Sequence, residues 1–191
     1  MWLSPPRVLR TRGGPVIRAS VDGFHNPQEI RYRRGRSSPI GFYEDSYDYE
    51  AVKRLLLGPL AAGASGRIRR AIYDVDAERA VDTPWEDAPP RSILVFDGIF
   101  LHRRELRDAW DYSVFLDVGF DVSIPRGAQR GTGSPDPDAE SNRRYVEGQR
   151  IYLAQCDPRA LASIVVDNRD LAAPVITARR PGHPPGSAAR G

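Results

Sequence analysis

The chain has 191 residues, 40% of them hydrophobic and 28% charged, with a formal net charge of +3. That length buries one sizeable core, and no run approaches the roughly 18 apolar residues of a membrane span. The basic excess is too small and too dispersed to indicate nucleic acid, and nearly every base is arginine; Lys53 is the single lysine. Cys156 stands alone, which excludes an internal disulfide and points to a reducing cytoplasm. Met1–Pro6 has no apolar core of signal-peptide length.

In chain order, residues 1–6 read as irregular, and Arg7 to Arg12 as the end of a helix stopped by Gly13-Gly14. Pro15 to Val21 reads as a strand. Residues 25–46, rich in Arg, Pro, Ser, Gly and Tyr, read as a long functional loop. Asp48 is placed to cap a helix running to about Leu57. A short strand is predicted over Ile68 to Tyr73, then mostly loop over 75–91. Ser92 to Phe96 is the central strand, Arg103 to Ala109 a helix, and Tyr112 to Asp117 a strand. A helix over 120–130 is weakened by Pro125 and Gly127. Gly131 to Asp138 is a flexible break, Asn142 to Cys156 a helix, and Ser163 to Asp167 the last strand. From Arg179 the tail is Pro, Gly, Arg and Ala and reads as disordered. Short β-branched strands alternating with helices predict an α/β fold with a mostly parallel sheet.

Two of these strands end alike. Ile93-Leu94-Val95-Phe96 runs into Asp97-Gly98, and Val16 to Val21 runs into Asp22-Gly23. In an open parallel sheet, ligands bind at the carboxyl ends of the strands. An acid there can hold a Mg²⁺ that bridges nucleotide phosphates, and a second can act as base. Two strands ending in Asp-Gly therefore suggest a phosphoryl-transfer site. The bland alternative is a pair of Asp-Gly turns. No Gly-x-x-x-x-Gly-Lys-Ser/Thr occurs anywhere in the sequence.

From about Arg7 to Ile176 the chain resembles the uridine kinase family of P-loop kinases. Three stretches carry the resemblance: Arg18-Ala19-Ser20-Val21-Asp22-Gly23-Phe24-His25; Val95 to Leu101 followed by Glu105 to Asp111; and Arg144 to Leu153 with Val165-Val166-Asp167-Asn168. Pantothenate kinase is similar in the first stretch and through Gly41-Phe42 to Ser46-Tyr47-Asp48. The resemblance implies a three-layer α/β/α domain over 7–178, flanked by an irregular 1–6 and a disordered tail at 179–191. It also implies that this chain lacks the family's first strand and phosphate loop, which would lie upstream of the match. The implied ancestral activity is ATP-dependent phosphorylation of a nucleoside 5′-hydroxyl with Mg²⁺, inactive in this form. The alternatives are a non-catalytic module that keeps a nucleoside or phosphate pocket, a gene-model fragment, or an acceptor such as pantothenate.

Residue by residue, Asp22 is the expected base and Asp97 the metal acid. Arg126 and Arg130 lie four apart and share a helical face. The resemblance matches them to arginines that contact phosphates beside a mobile lid, Arg130 as a catalytic residue and Arg126 in binding, against the alternative of a solvated basic face. Arg143, Arg144 and Arg150 are further candidates for that pocket. Tyr73 and Asp74 match the nucleoside-contacting segment, with a core-edge tyrosine as the alternative. His25 reads as a structural or substrate-orienting hydrogen bonder. Asp45 is a candidate for ribose hydroxyls, as is Asp48, for which a helix cap is the rival role. His102 and Cys156 have no metal-ligand partners at useful spacing and read as structural. The expected partners are a nucleoside and ATP, with no nucleic acid and no membrane. Open sheet edges make pairing with another copy of the chain a further expectation.

Overall fold

In the computed structural model, which describes residues 14–131 and 133–180, the β-branched runs form the ladders. The chain divides into two compact units. The first holds the described residues up to Arg31 together with Ser46–Ile99, and the second holds Tyr32–Asp45 with the described residues from Phe100. The expected helix at Arg7 to Arg12, the irregular 1–6 and most of the tail lie outside the described residues.

In the first unit, β1 (Val16–Ser20) pairs in parallel with a second strand at Ile93–Asp97, in register from Val16↔Ile93 to Ser20↔Asp97. Two short antiparallel ribbons lie between them in sequence. One joins β2 (Arg67–Ile68) to β5 (Glu86–Asp87), and the other joins β3 (Tyr73–Asp74) to β4 (Arg79–Ala80). The Ile93–Asp97 strand is β6. The single strand expected over Ile68 to Tyr73 is thus two pieces in different ribbons. The helix expected after Asp48 forms as α3 (Tyr49–Val52) and continues as a π-helical turn over Lys53–Leu57. Its Asp48 cap is present, with the Ala51 N–H donating to Oδ1 at 2.8 Å. Within the expected loop, α1 (Gln28–Arg31) forms. The unit's core is Val21, Phe24, Tyr47, Tyr49, Val52, Leu55, Leu56 and Ile68. Phe24 and Phe96 sit 6.4 Å apart, a spacing at which aromatic pairs add about 0.5–1.5 kcal/mol beyond their burial.

In the second unit, α2 (Pro39–Asp45) belongs to the expected loop, and α4 (Phe120–Gln129) forms despite Pro125. The long helix is α5 (Glu140–Cys156). Asp157, at φ 39°, ends it in the left-handed conformation and caps α6 (Pro158–Leu161), accepting from the Ala160 N–H at 3.1 Å. A sheet of β7 (Val114–Asp117), β8 (Ile164–Asp167) and β9 (Val175–Arg179) runs parallel, then antiparallel. β9 was not expected from the sequence. The helix expected over Arg103 to Ala109 is only a 3-10 turn at Arg107–Ala109. An aromatic cluster fills the interior: Phe100 lies 5.2 Å from Phe42, 5.3 Å from Tyr43 and 5.3 Å from Tyr152.

The β1–β6 and β7–β8 pairs are parallel, as an α/β fold requires, while the remaining pairs are antiparallel. Ile93 to Phe96 is apolar throughout, the composition of a buried strand. Each residue of Ile93–Asp97 is instead of intermediate exposure, with β1 as its ladder partner.

Candidate functional site

The site of interest is the carboxyl end of the β1–β6 pair. Because the two strands run in parallel and in register, both Asp-Gly turns leave the sheet at one end. Ser20 closes β1 and caps the 3-10 turn Val21–Phe24, its Oγ accepting from the Asp22 N–H at 3.2 Å. The same hydroxyl donates to the Asp97 carbonyl at 3.4 Å, tying the two turns together. Gly98 follows at φ 142°, a conformation open to glycine, and a Cβ there would run into Val21.

Asp22 is solvent-exposed. Its Oδ1 accepts a hydrogen bond at 3.1 Å from the hydroxyl of Tyr47, a side chain only 5% exposed. Burial, and then the negative charge of Asp22, push the Tyr47 phenol well above its ordinary range, so it stays a donor. His25 lies at 2.8 Å from the Asp22 carbonyl through Nδ1. A carbonyl only accepts, so Nδ1 carries the proton and Nε2 of the neutral ring is left as an acceptor. Burial holds His25 below its ordinary value. Its ring packs on Tyr47 at 4.6 Å, and a bridge between the two backbones fixes the pair.

Asp97 is the inner acid. Its Oδ1 is buried and meets no hydrogen-bond donor. Burial raises its carboxyl above the usual range, and the charge of Asp22 pushes in the same direction. A buried, unsatisfied carboxylate oxygen beside a second acid is the environment a hard cation relieves. The orphaned Asp97 oxygen therefore fits a Mg²⁺ ligand. Among the described residues no group of three or more His, Cys, Asp or Glu is arranged to hold a metal, so the remaining ligands would be water or substrate oxygens.

The nucleoside candidates in this unit have their polar groups engaged. Tyr73 is 7% exposed and its hydroxyl donates to Glu78 Oε2 at 3.0 Å. Glu78 also takes two hydrogen bonds from Arg31, at 2.6 and 2.5 Å. Asp74 Oδ1 accepts from the N–H groups of Asp76 and Ala77, shaping the turn between β3 and β4. Both residues thus build the hairpin.

The other candidates belong to the second unit. Asp45 is held by Arg33 at 2.5 Å and Arg34 at 3.0 Å. Arg144 is buried, donates to the carbonyls of Arg36 and Ser38 at 3.1 Å, and lies over the Tyr32 ring. Arg126 donates to the carbonyls of Asn168 and Arg169. Arg143 pairs with Glu140 and Arg150 with Glu147, both one helical turn apart on α5. Arg130 is exposed at the carboxyl end of α4. Of the expected residues, Asp22, His25 and Asp97 are brought together. Tyr47, the donor to Asp22, is a side chain to which the sequence reading gave no role. No local motif marks it, because its partner is 25 residues away.

No protein-family model and no curated protein matches the sequence. Among solved structures, the chain is similar to one described as a possible uridine kinase from Bacillus stearothermophilus. The match has a TM-score of 0.60 at 22% identity and covers 79% of this chain and 71% of that one. The chain shares the α/β fold of that structure. At that identity the likeness speaks for the fold, and the site must be argued from its own residues. No helix among the described residues is long and apolar enough to cross a membrane.

Proposed function

We propose that this chain carries the acceptor half of a uridine kinase-like phosphotransferase site, with Asp22 as the base. The observation that supports the reading is the exposed Asp22 carboxylate, oriented by the buried Tyr47 hydroxyl at the mouth of a parallel strand pair. A carboxylate so placed accepts the proton of an alcohol as it becomes a nucleophile. The Nε2 of His25 offers a hydrogen-bond acceptor to a second hydroxyl, which suits a polyol such as a ribose. Asp97 would hold Mg²⁺, whose chemistry is to neutralise charge on phosphate oxygens. The nucleoside as acceptor and ATP as donor follow from the resemblance, and the same site would serve another small primary alcohol such as pantothenate. The 191-residue chain itself is proposed not to turn over ATP.

The test has two arms. Phosphorylation of uridine by ATP and Mg²⁺ should not exceed a heat-killed control; turnover at rates typical of kinases, about 1–100 s⁻¹, overturns the inactivity. Fusing a strand and a Gly-x-x-x-x-Gly-Lys-Ser/Thr loop ahead of Arg7 should create activity that Asp22→Asn lowers roughly 10²–10⁴-fold in turnover. An Asn variant within about threefold of its parent makes Asp22 a turn residue only. Uridine binding by both chains without turnover in either would instead mark a nucleoside-binding module.

A further inference from the structure

The Asp22 turn offers hydrogen-bond acceptors to a ligand, and the donors packed beside it are engaged. We infer that its alcohol substrate is a neutral polyol recognised through hydroxyl groups alone, with no contact that reads an attached nucleobase. The inference rests on the proposed role of Asp22 and narrows the substrate of that site.

Asp22 is exposed and its Oδ1 takes the Tyr47 hydroxyl, which leaves Oδ2 for a substrate. His25 Nδ1 is committed to the Asp22 carbonyl, so Nε2 of the neutral ring is the second acceptor. Asp22 lies in the 3-10 turn Val21–Phe24 and His25 closes it, so both acceptors belong to one turn. A primary alcohol with a further hydroxyl supplies the matching donors. Reading a base takes a donor for its carbonyls or an open ring face. The Ile72 N–H donates to the Gly23 carbonyl at 2.7 Å, which sets Tyr73 and Asp74 beside the turn. Tyr73 is 7% exposed, so its ring has no open face, and its hydroxyl is spent on Glu78. Asp74 Oδ1 holds the hairpin turn. Arg31 is buried and donates to the Asn26 carbonyl at 2.9 Å as well as to Glu78. Glu78 sits at φ 48°, a left-handed conformation uncommon outside glycine, and its hydrogen bonds from Arg31 and Tyr73 hold it there. Opening that clamp to free a donor would strand the buried Arg31 charge. Charge sets the neutrality. Arg31 cancels Glu78, Arg70 is paired with Glu86, and the charge of Arg18 acts on Asp97. The exposed Asp22 carboxylate therefore sets the sign of the field a ligand meets, and an anionic alcohol is opposed.

The experiment uses the full chain without Mg²⁺ and four probes: methyl β-D-ribofuranoside, uridine, 2′,3′-dideoxyuridine and pantothenate. Two-dimensional NMR follows the Asp22, Gly23 and His25 amides. The riboside and uridine should give saturable shifts with affinities within about threefold of each other, because the base adds no contact. Dideoxyuridine and pantothenate should each bind at least about tenfold more weakly than the riboside. His25→Phe keeps a ring on Tyr47 and removes the acceptor, so it should bring uridine and dideoxyuridine within about threefold. Asp22→Asn should narrow the gap between the riboside and pantothenate. Uridine tighter than the riboside by more than about threefold means that the base is read, and overturns the inference while leaving the role of Asp22 intact. Dideoxyuridine or pantothenate binding as well as the riboside overturns it too, as does the absence of saturable shifts with every probe. These readouts come from the unmodified chain, so a variant that fails to fold does not rescue the inference. The role of Asp22 as base stands or falls separately, on turnover by the fused chain.

Discussion

At the residue scale, the Asp22–Tyr47–His25 group shows how a side chain can be exposed and still held. Asp22 needs water and substrate on one side, and its orientation comes from the buried Tyr47 on the other. Tyr47→Phe keeps the packing against His25 and removes the donor. Because the exposed carboxylate regains water, the cost should be modest, about 1 kcal/mol in urea unfolding. No measurable change would mean the hydroxyl does not orient Asp22. The histidines give a pH dependence. Burial lowers both His25 and His102 from their ordinary 6.5. The unfolded chain therefore takes up protons near that pH that the folded chain refuses. Stability is fully present above pH 6.5 and should fall as pH drops through it towards the folded values. His102 Nδ1 lies 3.3 Å from the Tyr152 hydroxyl and Nε2 lies 3.0 Å from Ser113 Oγ, both contacts suited to a neutral ring. Asp97, raised by burial, opposes the trend, so the variant His102→Gln is the sharper comparison. Urea midpoints at about pH 7.5 and 5.5 should differ less in that variant than in the parent. The two acids were legible in the sequence because each ends a strand with Asp-Gly. The roles of Tyr73, Asp45 and Arg144 were not, because Glu78, Arg33, Arg34 and the carbonyls of residues 36 and 38 reach them only in the folded chain.

At the element scale, the reading succeeded where a helix or strand carries its own signals. Asp48 before an apolar run gave α3, and the apolar strands at Val16, Ile93, Val114 and Ile164 all formed. It failed where turn geometry decides. Ile68 to Tyr73 is β-rich but pairs with two different strands, so it breaks in the middle. β9 follows Pro174 and leads into a Pro- and Gly-rich tail, and that composition masked its Val175-Ile176-Thr177 triad. Gly148 shows helix packing that no periodicity reveals. A Cβ there would lie 2.7 Å from Phe42 Cδ1 and 3.0 Å from the Pro39 carbonyl oxygen, so α5 approaches α2 closely only with glycine. Gly148→Ala gains up to about 1 kcal/mol of helix propensity but overpacks the contact by roughly 1–3 kcal/mol. The overpacking should win, with a net loss of about 1 kcal/mol in denaturant unfolding. A stabilised variant would show that Phe42 moves aside freely.

At the scale of the whole molecule, the sheet is the feature least like a finished α/β protein. The residues expected to build one mostly parallel sheet form separate ladders, β1 with β6 and β7 with β8 and β9. In the second of these, register places Val114 opposite Ile164, Leu116 opposite Val166, and Val166 in turn opposite Ile176, so these apolar side chains share one face. Val114 is 52% exposed, Leu116 55% and Ile176 43%. Soluble monomers rarely leave a contiguous apolar sheet face in water, and it invites association through that face or the strand edges beside it. We expect the purified chain to self-associate as its concentration rises, in sedimentation velocity or sizing. Val114→Thr with Leu116→Thr keeps β-propensity and makes the face polar. That double variant should shift the distribution towards monomer while leaving the circular dichroism spectrum unchanged. A parent chain that stays monomeric at high concentration, with a sharp cooperative thermal transition, would show that this face is covered within a single molecule.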